Sequence, residues 1–207
     1  MSIDPTLSKV YSVQSPDDCV DAYRDWAKGY EDDVVGRFGY VAPRVAAETF
    51  ARFAEAGASP VLDAGCGTGL VGVELAGRGF PLVDGLDISP EMLGEARAKG
   101  VYRDLMEADM TKPLTALATD AYAGVISVGT FTHGHVGTEG LPELLRVTRP
   151  GGIVCLTINE GVYEDYRFED AFAAIVRDGT AKMLENRKAD YLTDQGIGCR
   201  LTTLRVA

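Results

Sequence analysis

Three glycines in five positions constrain this chain more than any other feature. They are Gly65, Gly67 and Gly69, within Val61-Leu62-Asp63-Ala64-Gly65-Cys66-Gly67-Thr68-Gly69-Leu70. The apolar run before them reads as a strand and the run after them as a helix, so the glycines form a sharp strand-to-helix turn. Side chains are omitted where a backbone must bend tightly or a ligand must approach it. Such a turn leaves free N–H groups and the positive end of a helix dipole facing the crevice above a sheet, where open α/β folds bind ligands.

From residue 59 onward, short apolar runs alternate with helical segments, the pattern of βαβ units around a parallel sheet. The predicted strands are Pro60 to Asp63, Leu82 to Asp87, Arg103 to Ala108, Tyr122 to Val128 and Gly152 to Ile158. Predicted helices fall at Leu70 to Arg78, at Pro90 to Lys99 with Ser89 as cap and Gly100 beyond its end, and at Glu139 to Thr148. A helix over Asp165 to Asp178 precedes two polar-alternating runs, Ala181 to Tyr191 and Cys199 to Val206, which read as a terminal antiparallel hairpin. Upstream, residues 1–14 read as a loose tail. Ser15-Pro16-Asp17-Asp18 then reads as a cap, a first-turn proline and an acid, opening a helix to Lys28. A second helix spans Ala42 to Ala56 and stops at Gly57. The expected fold is therefore α/β, a doubly wound Rossmann-like sheet of about seven strands. It is mostly parallel with a C-terminal antiparallel hairpin, has helices on both faces, and carries an N-terminal helical cap. We expect one domain over 1–207, with the cap at 1–57 and the α/β core at 58–207.

A chain of 207 residues can bury about 70% of the surface it exposes when unfolded, so one core suffices without disulfides or structural metal. Twenty Lys plus Arg against 31 Asp plus Glu give a net charge of −11, which repels nucleic-acid backbones and anionic membranes. Neither is an expected partner. Cys19, Cys66, Cys155 and Cys199 lie far apart, with no zinc-site spacing, and read as reduced, mostly buried thiols. With no signal-peptide run and no stretch of about 18 apolar residues, a cytoplasmic location is expected.

A dinucleotide fingerprint is G-x-G-x-x-G, whereas here the spacing is G-x-G-x-G and Leu70 stands where the third glycine should be. That argues against a nicotinamide cofactor. Asp63, an acid at the first strand's end, suits a ligand carrying an ammonium or sulfonium charge. Asp87 ends the second strand, 22 residues after Gly65, where a carboxylate can accept from both hydroxyls of a ribose. Asp109 follows the third strand, placed to accept from an adenine amino group while Met110 covers the ring. Each acid alone could be a cap or loop residue. Three at successive strand ends beside one glycine loop favour a site.

These residues resemble the class I S-adenosylmethionine-dependent methyltransferases. The resemblance rests on VLDAGCGTGL, VDGLDISPEML, EADM, YAGVISVGTFTHGHV and LLRVTRPGG, all within residues 61 to 158. More narrowly, VISVGTFTHGHV together with YRDWAKGYEDDV resembles the Williams-Beuren-region methyltransferase-like proteins over about residues 20 to 160. The resemblance implies S-adenosyl-L-methionine as cofactor and S-adenosyl-L-homocysteine as product. It places the loop Gly65, Cys66, Gly67 and Gly69 around the methionine part, with Asp63 near its ammonium. Asp87 falls on the ribose, Ile88 against the adenine, Asp109 and Met110 at the adenine edge, and the Val128 and Gly129 backbone beside the amino-acid moiety. It also makes Tyr23, Trp26 and Tyr30, spaced i, i+3, i+7, a lid over the sulfonium, although the same spacing suits a core stripe. One departure is Ala123, where many relatives carry an acid after the aromatic that opens the fourth strand.

Methyl transfer is an in-line displacement that gains from aligned reactants and excluded water, and a protein base matters when the acceptor must lose a proton. The two histidines, His133 and His135, follow the fourth strand, which in similar enzymes borders the acceptor pocket. His133 is the candidate base, Phe131 and His135 are candidate acceptor contacts, and no metal is expected because His-Gly-His lacks a third ligand. The expected acceptor is a small molecule. A protein side chain is the next reading, followed by a non-catalytic cofactor-binding scaffold and a dinucleotide-dependent oxidoreductase.

Overall fold

The computed structural model describes residues 12–13 and 16–207. The expected N-terminal tail, apart from 12–13, and the Ser15 cap lie outside the described residues, as does the side chain of Cys19. Helix α1 is Pro16–Trp26, and a 3₁₀ turn at Ala27–Gly29 leads into α2, Tyr30–Val34. Helix α3 is Ala42–Phe53. The core then runs β1 (Val61–Ala64), α4 (Leu70–Gly77), β2 (Val83–Asp87), α5 (Pro90–Ala98), β3 (Asp104–Glu107) and β4 (Tyr122–Phe131). It continues with α6 (Leu141–Val147), β5 (Thr148–Asn159), α7 (Glu160–Tyr163), α8 (Phe168–Arg177), β6 (Ala181–Leu192) and β7 (Ile197–Val206).

The seven strands form one sheet in the order β3-β2-β1-β4-β5-β7-β6. Strands β1 to β5 pair in parallel. Strand β7 inserts antiparallel between β5 and β6, so the hairpin adds an antiparallel edge to a parallel sheet. Alternation along each strand sends side chains to two cores. Leu62, Val125, Val154 and Leu156 meet Leu144, Phe168 and Phe172 on one face. Val61, Ile126, Ile153 and Cys155 meet Ala46, Phe50, Val71 and Leu75 on the other. Among the described residues no helix is long and apolar enough to cross a membrane.

Local signals explain the element ends. Ser89 Oγ accepts from the Met92 N–H at 3.2 Å and Pro90 opens α5, so the expected cap is the one found. Two expectations change. The helix expected over Asp165 to Asp178 begins only at Phe168, because Arg167 sits at φ 55°, a left-handed conformation that cannot continue a helix turn. The helix expected to end at Thr148 stops at Val147, since Thr148 already pairs with Tyr122 in the β4–β5 ladder.

Candidate functional site

The ends of β1, β2 and β4 open into a cleft of about 940 Å³, its mouth included, roofed by α1 and α2. Gly65, Cys66, Gly67 and Thr68 line its floor. All three loop glycines have positive φ, but they do different things. A Cβ on Gly65 would strike Thr130 from β4, and one on Gly69 would press against Tyr102 and Ala96, whereas one on Gly67 would meet nothing within 4 Å. Only Gly67 therefore leaves space for a ligand at the backbone; the other two let elements approach. The Thr68 hydroxyl is buried without a partner, a donor and acceptor left over at the same turn. Cys66 also lines the cleft, its thiol pushed upward by burial and then by the Asp63 and Asp87 charges, so it stays protonated and unreactive.

Asp63 lies apart from the other expected site residues. Side-chain alternation along β1 turns Leu62 and Ala64 to one face and Asp63 to the other, behind the loop and off the cleft wall. Its Oδ2 accepts from the Tyr102 hydroxyl at 2.6 Å, and that hydroxyl accepts from the Gly72 N–H at 3.2 Å. Its Oδ1 is buried and unpartnered. Burial, partly offset by the Tyr102 bond and reinforced by the charge of Asp87, raises its carboxyl to about 7.

Asp87 stands in the cleft as expected. Its Oδ2 accepts from the Gly67 N–H at 2.8 Å and its Oδ1 from the Ser89 N–H at 2.9 Å. The Ile88 N–H also acts on this carboxylate, and its four lone-pair sites still leave room for a further donor. Burial raises this carboxyl although its backbone partners pull the other way. Asp109 also lines the cleft. Its Oδ1 accepts from the Thr111 N–H at 2.9 Å and hydroxyl at 2.6 Å, and its Oδ2 pairs with Lys112 Nζ at 2.9 Å. Burial pushes that carboxyl up, but the Thr111 and Lys112 contacts outweigh it and the net shift is down. Ile88, Met110, Val128 and Gly129 complete the expected wall.

Of the aromatic stripe, Tyr23 and Tyr30 face the cleft and Trp26 does not. The Trp26 indole N–H donates to Asp33 at 2.8 Å, and its ring packs 4.8 Å from Tyr30 and 6.0 Å from Tyr23, bracing the other two. Phe131 is not a cleft residue either: it is fully buried, edge-on to Phe168 at 5.7 Å, because β4 runs through to that position. The histidines exchange places. The ring of His133 packs against Gly161 at the start of α7, while His135 lines the cleft. Gly134, at φ 71°, reverses the chain between them and packs under the Val13 carbonyl. The cleft also takes residues missed in the sequence, chiefly Tyr40, Thr68 and Thr130. Tyr40 packs on Tyr191 at 5.2 Å, a contact between segments about 150 residues apart that no local pattern announces.

A methyltransferase-domain family matches residues 61–152, which include the glycine loop, all three strand-end acids and both histidines. Human methyltransferase-like protein 27, a Williams-Beuren-region protein, is 39% identical over 137 residues, 65% of this chain and 55% of that protein. The chain spans about half the length of the curated relatives it matches. Among solved structures, the [4+2]-cyclase SpnF superposes with a TM-score of 0.71 at 16% identity, covering 94% of this chain and 97% of that one. A TehB-like S-adenosylmethionine-dependent methyltransferase from Corynebacterium glutamicum gives 0.64 at 20% identity, covering 89% and 97%. At those identities the superpositions speak for the fold alone. Residues 61–152 thus match a methyltransferase-domain family, and they lie on a sheet whose fold is that of the Rossmann-like methyltransferases.

Proposed function

We propose that this chain is an S-adenosylmethionine-dependent methyltransferase acting on a small-molecule acceptor. The observation that carries the reading is Asp87, a half-buried carboxylate on the cleft wall with no cation against it among the described residues. Backbone N–H groups of Gly67, Ser89 and Ile88 hold it, and its four lone-pair sites leave acceptor capacity at the cleft. That residue chemistry fits a vicinal diol such as a ribose. The open space above Gly67 and the partnerless Thr68 hydroxyl fit the polar end of an amino acid. Met110 and Ile88 offer apolar surface to a flat base, and Asp109 keeps acceptor capacity for its amino group. When bound, this cofactor supplies an electrophilic methyl group on a sulfonium centre.

The chain's own residues would then bind, orient and exclude water. Tyr23, Tyr30 and Tyr40 wall the cleft with rings, which suit a cationic sulfur and keep solvent from it. Roofing by α1 and α2 favours a small acceptor over a folded macromolecule, and the net charge of −11 disfavours a polyanion. Asp63, behind the loop, would hold the turn through Tyr102 rather than touch the ligand. Calorimetric titration with S-adenosylhomocysteine tests this. Asp87→Ala is expected to weaken binding by about 1–3 kcal/mol, roughly 5- to 150-fold, through lost charged hydrogen bonds. Equal affinity in the variant contradicts the assignment.

A further inference from the structure

We infer that His135, acting through Tyr23, accepts the proton released in methyl transfer, and that the acceptor is therefore a neutral hydroxyl compound of phenolic type. The inference rests on the reading of the cleft as a methyl-donor site. Its basis is one hydrogen-bond chain. His135 Nδ1 lies 2.7 Å from the His133 carbonyl oxygen, which can only accept, so Nδ1 carries the ring's proton. In the neutral ring Nε2 is then a lone pair, and it lies 3.2 Å from the Tyr23 hydroxyl, which must be the donor. The rings meet edge-on at 5.7 Å, and both line the cleft.

The surroundings keep that lone pair available. Burial, followed by the neighbouring His133, holds His135 below the ordinary histidine range despite the His133 carbonyl. Among the described residues, Tyr23 from α1 and His133 from its own loop are the titratable groups that face it, and no carboxylate or cation enters its shift. Asp87 and Asp109 belong to the β2 and β3 side of the sheet, with β1 between them and β4. The cleft wall carries no lysine or arginine among the described residues, so a carboxylate or phosphate acceptor would meet no counter-ion. An ammonium would meet no carboxylate at this end. A neutral hydroxyl brings no charge, only a proton to be removed.

The step balances as follows. The acceptor oxygen forms the new O–CH₃ bond while the S–CH₃ bond breaks and its electron pair stays on sulfur. The acceptor's O–H proton passes to the Tyr23 oxygen as the Tyr23 proton passes to His135 Nε2, and the imidazolium later releases it to water.

Two readouts test this. The first needs no turnover. With only two histidines in the chain, ¹⁵N NMR resolves both. His135 is expected neutral at pH 7 with its proton on Nδ1, and Tyr23→Phe is expected to raise its titration midpoint, since the lost hydrogen bond favoured the neutral ring. A proton on Nε2, or a midpoint unmoved in the variant, overturns the chain. The second offers S-adenosylmethionine with 2-naphthol, 2-naphthylmethylamine (an ammonium at pH 7) or 2-naphthoate, and separately with 4-nitrophenol, which is largely ionised at pH 8. The naphthol is expected to be methylated and its amine and acid counterparts not. His135→Gln and Tyr23→Phe are each expected to lose about 100-fold in kcat on 2-naphthol at pH 7 but little on 4-nitrophenol. Preference for the amine or acid, equal losses on both phenols, or no loss overturns the inference, as does a protein that binds S-adenosylhomocysteine yet methylates no phenol. Failure to bind S-adenosylhomocysteine sinks the underlying reading instead.

Discussion

Two aspartates three residues apart on β2 meet opposite fates. Asp84, at the start of the strand, is buried and paired with a cation. Its Oδ1 accepts from Arg103 Nε at 2.8 Å, and its Oδ2 from Arg103 Nη2 and from the Tyr122 hydroxyl at 3.0 Å. The pair also raises the Arg103 guanidinium, first through that hydrogen bond. Asp87, at the other end, has backbone N–H partners, no cation among the described residues, and a carboxyl raised by burial. One end of the sheet closes its charge internally, binding β2, β3 and β4 together; the other leaves charge with capacity to spare. In a chain rich in acids, that difference separates a stabilising carboxylate from the one proposed to bind, where residue type does not.

The comparison breaks first at Asp84. Asp84→Ala should remove a bidentate ion pair and a buried hydroxyl's acceptor. A loss of about 3 kcal/mol in denaturant unfolding is expected, with Asp87→Ala leaving that midpoint unchanged or higher. Equal losses would erase the distinction. A smaller effect sharpens it at Asp63, whose carboxyl lies at about 7 against an ordinary 3.8. The native state holds that proton more tightly than the unfolded chain, so stability falls as pH rises from about 4 to 7 and the penalty is complete by pH 8. The gap corresponds to a ceiling of about 4 kcal/mol. Asp63→Asn, still able to accept from Tyr102, should therefore gain on the parent protein at pH 8 by up to several degrees in Tm and lose that advantage toward pH 4. Asp87 leaves a residual slope of the same sign. A variant less stable at pH 8 than at pH 4, relative to the parent, would contradict the burial argument.

Much of this was legible from the chain because it is local. Apolar runs between turn residues marked the strands, Ser89-Pro90 marked α5, and the spacing after Gly65 located Asp87. The rest depends on geometry that sequence spacing does not carry. Asp63 and the loop glycines are adjacent in sequence, yet strand alternation puts the carboxylate behind the loop. His133 and His135 are separated by one residue, but the left-handed turn at Gly134 sends them to opposite sides. Tyr40 and Tyr102 reach the region from distant loops whose local patterns are unremarkable.

The central claim is that the strand-end cleft holds a methyl-donor nucleoside through Asp87. A crystal structure with S-adenosylhomocysteine tests it most directly. The account predicts both ribose hydroxyls on the Asp87 carboxylate, the base against Met110, and the amino-acid end above Gly67 beside Thr68. A ligand seated elsewhere, or ribose hydroxyls with no contact to Asp87, would contradict it.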